Sequence, residues 1–432
     1  MKDLEEKLNN LVFEGCEDVL VGDILHYSLD GKKNLKSGIK DIICMLIKVA
    51  IRSNYDVQIL GDGSNMTLFS SSYLGRQDHY AAFKAVTSII ENKISFESVT
   101  SKFDIRGIKH ISIICKWNRI MKKIDCSFGE RMCLLRDLFQ AYRDYEFIEE
   151  TIKKQNIIPK NLLVYCDVMP VDCFIVQKYK KRNCQIVTFQ HGTFPIEKNA
   201  WPYVKSKSDF FLADSEASCD DAKKVGYDGK IIAVGSPFQF QKKPVEIVGP
   251  YKTDSIGIIM NSISLPVEDN IEMIRVVQDY CRENNKLLYI KYHPADKMEK
   301  YKNIVDSKVV KGQYFNELSM DEFINMTDIM IASASTAIKT TLSCNIPTLL
   351  FVRKGYDYKI YQKTDELKFE NEKQLEEKVE KIEKDFELGD SEGAAITPYE
   401  RILAVLGRSD IRSDAAYVYS FFKVISKLFR TS

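Results

Sequence analysis

Two histidines and one run of hydroxyl residues carry most of the chemistry that this sequence could perform. The chain has five histidines, so where each one falls is informative. His191 follows the apolar run Gln185–Gln190, in the string Gln190-His191-Gly192-Thr193-Phe194-Pro195. An imidazole there can accept a proton near neutral pH, and Gly192 lets the backbone approach a ligand with no Cβ in the way. The same context also suits a turn histidine that only satisfies a backbone group. His293 closes a second apolar run, in Lys291-Tyr292-His293-Pro294. The run Ser333-Ala334-Ser335-Thr336-Ala337 lies between a strand pattern and a helix pattern. Its hydroxyls, with the unpaired N–H groups of a first helical turn, make an anion site suited to phosphate; a plain Ser/Thr N-cap would use the same residues. The turn Gly61-Asp62-Gly63-Ser64 offers Asp62 as a further ligand contact.

The chemistry excluded is as informative. Eleven cysteines are scattered with no C-x-x-C pair, which fits neither a disulfide framework nor a zinc site. Cys44, Cys115 and Cys166 lie in apolar runs and are expected to be buried free thiols. No Asp-x-Asp pair occurs, so a metal clamp has no obvious ligands and none is expected. A formal net charge of +1 gives no reason to expect a nucleic-acid partner. The first ten residues are charged, and no apolar run reaches bilayer-spanning length. A cytoplasmic protein is the expectation.

The elements that must position these residues alternate in an α/β pattern. At 432 residues, 45% hydrophobic and 28% charged, the chain should form two soluble globular domains. Asp56–Leu60 and His110–Cys115 read as core strands, Tyr80–Glu91 as a helix, and Gly129–Lys154 as a long helix. Strands then follow at Asn161–Cys166, Gln185–Gln190, Asp209–Ala213 and Lys230–Val234, the last ending in Gly235-Ser236-Pro237. Helices at Val171–Lys181 and Glu216–Val225 separate them. The segment Gln239–Thr253 has two prolines and little periodicity, as expected of a linker. A second series has strands at Ser255–Met260, Lys286–Lys291, Asp328–Ala332 and Pro347–Val352, with helices at Glu268–Glu283, Met320–Met326 and Ala334–Cys344. Asn371–Phe386 reads as a solvated helix. The amphipathic tail Ala415–Arg430 is expected either to dock on the first domain or to lie on a membrane.

Taken in order, QHGTFP, the strand ending in Gly235-Ser236-Pro237, KYHP, and SASTA followed by NIPTLLFV resemble a known pattern. From about Leu162 to Val352 the chain resembles bacterial capsule and cell-wall polymer transferases of the GT-B architecture. It is most similar to CDP-glycerol glycerophosphotransferases and to capsular Kdo- and sialyltransferases. Gln190 stands where the glycerophosphotransferases carry tryptophan.

The resemblance implies an α/β GT-B fold: two Rossmann-like domains facing across a cleft, with a C-terminal helix packing back on the first. The domains would be 1–240 on the acceptor side, 254–396 on the donor side, and 397–432 as returning C-terminal helices. It further implies His191 as general base, and His293, Lys291, Ser333, Ser335, Thr336, Gly235 and Ser236 on the donor. Gln190, Gly192, Thr193, Asp62 and Asp167 are candidate acceptor contacts. The donor would be a CMP-, CDP- or UDP-linked substrate and no cofactor is needed. The acceptor would be a glycan or lipid-linked glycan at the inner face of the plasma membrane, with peripheral contact through residues 415–430. Two other functions fit the same residues: a UDP-sugar 2-epimerase, and a catalytically silent nucleotide-sugar-binding scaffold of a capsule complex.

Overall fold

The computed structural model describes residues 2–30, 44, 47–53, 56–60, 66–71, 93–97, 102–103, 105–164, 167–190, 201–213, 216–233, 252–261, 266–293, 296–315, 317–333, 335, 337–338, 341, 346–353 and 367–388. These residues divide into two compact units, one holding those up to Ala233 and one those from Lys252. The expected helix at Tyr80–Glu91, the turn at Asp62, the linker up to residue 251 and the 397–432 tail lie outside the described residues.

The first unit is built on a seven-stranded sheet. A small antiparallel pair joins β1 (Arg52–Ser53) to β5 (Lys102–Phe103). The main sheet contains β2 (Asp56–Leu60), β3 (Met66–Ser71), β4 (Lys93–Glu97), β6 (Pro159–Val164), β7 (Gln185–Phe189), β8 (Phe210–Ala213) and β9 (Lys230–Ala233), in the order β2-β4-β3-β6-β7-β8-β9. Only the β2–β4 pair is antiparallel. Continuous apolar runs such as Leu162–Val164 and Ile186–Val187 are buried, as parallel strands covered on both faces require. The helix Phe128–Lys154 opens on a capping box in which Ser127 and Glu130 exchange hydrogen bonds. It buries Leu134, Leu135, Leu138, Phe139, Ile148 and Ile152 in the first core.

Three expectations for this unit are corrected. His110–Cys115 is not a strand: a helix spans Ile111–Met121. Ile113, Ile114, Trp117 and Met121 are its buried residues, and their spacing is helical; the apolar run alone was too short to separate the two periods. Asp56–Leu60 is a strand, but it lies at the sheet edge, with Ile59 and Leu60 exposed. Cys44 and Cys115 are exposed rather than buried, because Cys115 falls on the outer face of that helix. Cys166 lies outside the described residues.

The second unit carries a six-stranded, wholly parallel sheet. Its strands are β10 (Ser255–Ile259), β11 (Leu287–Lys291), β12 (Val310–Tyr314), β13 (Ile329–Ala332), β14 (Thr348–Phe351) and β15 (Lys368–Phe369). The order β12-β11-β10-β13-β14-β15 is the doubly wound 3-2-1-4-5-6 arrangement, with the reversal between β10 and β13. Helices Val267–Glu283, Met320–Ile324 and Glu372–Leu388 supply Met273, Ile274, Val277, Phe323, Leu375 and Val379 to its core. At Gly257 on β10 a Cβ would come within 2.7 Å of the Met330 sulfur and 3.0 Å of Thr327, so only glycine permits that packing. Asp328 fixes the start of the sheet: its Oδ2 accepts from the Ser255 amide at 2.8 Å and the Asp254 amide at 2.9 Å. No helix among the described residues is long and apolar enough to cross a membrane.

Candidate functional site

The carboxyl edge of the second sheet collects the residues that the sequence singled out in that half. Ile259 at the end of β10 is level with Lys291 on one neighbour and with Ala332 on the other. The chain therefore leaves three adjacent strands at one height, through Met260–Asn261, Tyr292–His293 and Ser333–Ser335. Adjacent strands lie about 4.8 Å apart, so the β11 and β13 exits are about 10 Å apart across β10. This is the topological switch point, where crevices of open α/β sheets take ligands.

A buried relay ties the β10 and β11 exits together. Asn270, in the first turns of the helix after β10, donates from Nδ2 to the Asn261 carbonyl at 2.6 Å and to the Tyr301 hydroxyl at 3.1 Å. Tyr301 donates in turn to Asp296 Oδ2 at 2.6 Å, and the Asp296 amide donates to the His293 carbonyl at 2.8 Å. Asp296 Oδ1 also accepts from the Lys297 amide and from Lys300 Nζ, each at 2.8 Å. Burial pushes the Asp296 carboxyl up, but these hydrogen bonds together outweigh it and hold the group below the usual aspartate range. Tyr292 donates to Gln313 at 2.7 Å, and burial, with Asp296 nearby, pushes its phenol up to about 12. His293 is half-buried, and its carbonyl is the one that the Asp296 amide meets.

On the other side of β10 the hydroxyls are partly committed. The Ser333 hydroxyl is buried and donates to the Phe351 carbonyl at 3.1 Å, tying the ends of β13 and β14. Ser335 accepts from the Ala337 amide at 3.3 Å, as a cap does, and its carbonyl accepts from Ile338 at 3.2 Å. Thr336 lies outside the described residues. Lys291 is buried; its ammonium donates to the Phe315 carbonyl at 3.2 Å and also to the Leu318 carbonyl. Burial lowers its pKa. Lys291 thus holds the loop after β12, and Ser333 ties β13 to β14.

In the first unit, Gln190 continues β7. Its amide donates to the Leu212 carbonyl at 2.9 Å, and its buried side chain donates to Ser218 at 3.3 Å. Asp167 is buried and accepts from the Ser206 hydroxyl at 2.6 Å and from the amides of Lys207 at 2.9 Å and Ser208 at 3.2 Å. Burial raises its pKa against those hydrogen bonds. Both residues, expected as acceptor contacts, make these bonds within the first unit. His191, Gly192, Thr193, Asp62, Gly235 and Ser236 lie outside the described residues. Among the described residues no group of three or more His, Cys, Asp or Glu side chains could hold a metal ion.

Comparison with solved structures bears on the fold. A protein described as a UDP-N-acetylglucosamine 2-epimerase from Listeria monocytogenes superposes with a TM-score of 0.52 at 13% identity, covering 85% of this chain and 98% of that one. The chain has the GT-B fold. Its two α/β sheets, one mostly and one wholly parallel, are the Rossmann-like domains of that architecture. A UDP-GlcNAc 2-epimerase from Neisseria meningitidis bound to UDP-GlcNAc is also similar, with a TM-score of 0.49 at 10% identity, 85% of this chain and 99% of that one. So is an α,α-trehalose-phosphate synthase (UDP-forming) from Burkholderia vietnamiensis, with a TM-score of 0.46 at 9% identity, 85% and 98% covered. No family model matches the chain, and no curated protein is similar to it in sequence.

Sequence reasoning missed Asn270, Asp296, Tyr301 and Arg353. Arg353, just beyond β14, donates from Nη1 to the fully buried Asp269 at 2.9 Å and lies 3.5 Å from Glu272. Nothing in the local pattern marked it. Asp296 could have been found, since an aspartate three residues beyond His293 suits a turn-stabilising acceptor.

Proposed function

We propose that the protein is a transferase that moves a glycosyl or polyol-phosphate group from a nucleotide-activated donor to a surface-polysaccharide acceptor. One observation carries the reading: His293 and Ser335 end the two strands that flank β10 at the switch point of a doubly wound sheet. Domain 254–396 takes the donor there, a CMP-, CDP- or UDP-linked substrate. His293, Ser335 and Thr336 supply hydrogen bonds to phosphate oxygens, whose negative charge grows as the nucleotide leaves. Domain 1–240 brings the acceptor, a glycan or lipid-linked glycan, and His191 takes the proton of its attacking hydroxyl. The work is done at the cytoplasmic face of the membrane.

A thermal-shift series with CMP, CDP, UDP and GDP tests the donor site. The cognate nucleotide at about 100 times its Kd adds roughly 2.7 kcal/mol of stability. A series in which none raises the melting temperature sinks the reading.

The GT-B likeness to a protein described as a UDP-N-acetylglucosamine 2-epimerase favours a second reading, an epimerase that needs no acceptor. Incubation with nucleotide-sugars alone separates the two. An epimer formed without acceptor supports the epimerase; product formed only when an acceptor glycan is added supports the transferase.

A further inference from the structure

The helix Ile111–Met121 and the 3₁₀ turn Arg106–His110 before it contribute no residue to the candidate site. The inner face of the helix is accounted for by Ile113, Ile114, Trp117 and Met121, all in the first core. The outward face is unusual. Ile105, Ile108 and Ile111 recur at three-residue spacing, yet they are 59%, 47% and 37% exposed. One exposed isoleucine needs no explanation, but a row of them leaves apolar area in water along one line.

Charge distinguishes this row from an ordinary solvated helix. From Ile105 to Ile124 the sequence contains six Lys and Arg residues and no Asp or Glu. Glu150 pairs with Lys109, and Glu14 lies 2.5 Å from Lys116, so neighbouring elements neutralise those two. Arg119, Lys122 and Lys123 lie further along the same outward face, are exposed, and have no ion-pair partner among the described residues. The turn itself is anchored. At Gly107 a Cβ would come within 2.3 Å of the Ala50 carbonyl oxygen, so the glycine lets the turn seat against the body of the unit.

We infer that this face docks on an anionic phospholipid surface. The isoleucines enter the headgroup boundary and the three free cations meet lipid phosphates, the division of labour of an interfacial amphipathic helix. An acidic polymer would use the cations but would leave the isoleucine row in water, which is why lipid is favoured over nucleic acid. The inference does not depend on which reaction the protein performs.

The test floats the full chain with vesicles of phosphatidylcholine alone, and with vesicles carrying about 30 mol % phosphatidylglycerol, at low salt. Binding to the anionic vesicles only, weakening as salt rises, is expected. Each cation near such a surface is worth about five-fold in partition, so Arg119→Gln/Lys122→Gln/Lys123→Gln should bind roughly 100-fold more weakly. Ile105→Ser/Ile108→Ser/Ile111→Ser should also lose binding with every charge intact. Both sets change exposed positions, and a melting temperature equal to that of the wild type checks each fold. Failure of the wild type to bind anionic vesicles overturns the inference. Either variant binding as tightly as the wild type overturns it too, as would capture of an anionic oligonucleotide that ignores the isoleucine substitutions while vesicles are ignored.

Discussion

The Arg353 guanidinium donates to the Asp269 carboxylate at 2.9 Å, and that carboxylate is fully buried while the arginine side chain is 29% exposed. The pair spans the exit of β13, joining the end of β14 to the helix that follows β10. Because the two partners differ in exposure, their removal should be unequal. Arg353→Leu takes the cation from a carboxylate that cannot reach water, at a cost of about 3–5 kcal/mol. Asp269→Asn leaves a guanidinium that solvent can reach, and should cost less, about 1–3 kcal/mol. Urea unfolding of the two variants gives the comparison, and equal losses would contradict the asymmetry.

Two aspartates should titrate in opposite senses. Asp296, held below the ordinary 3.8 by Lys300, Tyr301 and the Lys297 amide despite its burial, contributes stability above that value and loses it as pH falls through the lowered one. Asp167, raised above 3.8 by burial, contributes fully below 3.8, and its contribution fades as pH rises through the elevated value. The penalty of Asp296→Asn should therefore be largest at neutral pH and vanish in strong acid. Measured from the wild type, Asp167→Asn should instead become relatively more stable as pH rises from 3.8. Melting temperatures of both variants from about pH 1.5 to 8, a span that takes in carboxylates shifted down and up, check both signs.

Lys291 separates a structural role from a ligand role. Its ammonium serves the half-buried carbonyls of Phe315 and Leu318, so Lys291→Met should leave two partly buried acceptors unmet and cost about 1–3 kcal/mol. Nucleotide affinity should stay within about two-fold, well under the ten-fold that 1.4 kcal/mol would represent. A large rise in nucleotide Kd with an unchanged melting temperature would return Lys291 to the donor.

How legible the molecule was in its sequence depended on whether burial or hydrogen bonding set the answer. Strands buried on both faces, such as Ser255–Ile259 and Thr348–Phe351, announce themselves as continuous apolar runs and were placed to within a residue or two. Val310–Tyr314 was not, because it is an edge strand whose burial alternates and which contains Lys311, Gly312 and Gln313. Ile111–Met121 was misread because adjacent isoleucines satisfy both periods over so short a run. At the site, residue type pointed to His293 and Ser335 but could not say where Lys291 and Asp167 spend their polar atoms. Those partners, Leu318 and Ser206, are distant in sequence and belong to loops with no periodic signal.

The two histidines should fail in different ways. His293, set on the turn that Asp296 braces, is proposed to touch the donor in the ground state as well as the transition state, so His293→Ala should weaken nucleotide binding. Ser335→Ala should do so more mildly, by about 0.5–1.5 kcal/mol for the one hydrogen bond lost. His191, proposed as the base toward the acceptor, matters only once a hydroxyl is losing its proton. His191→Ala should then lower kcat by about 100-fold or more with nucleotide affinity nearly unchanged, and His191→Gln, polar but unable to act as a base, should be almost as damaging. A turn histidine predicts the reverse: glutamine restores the backbone contact, and alanine mainly lowers the melting temperature. Nucleotide Kd, turnover and melting temperature measured on the same four proteins decide between them. A His191→Ala protein with wild-type turnover would leave the chain without an identified base.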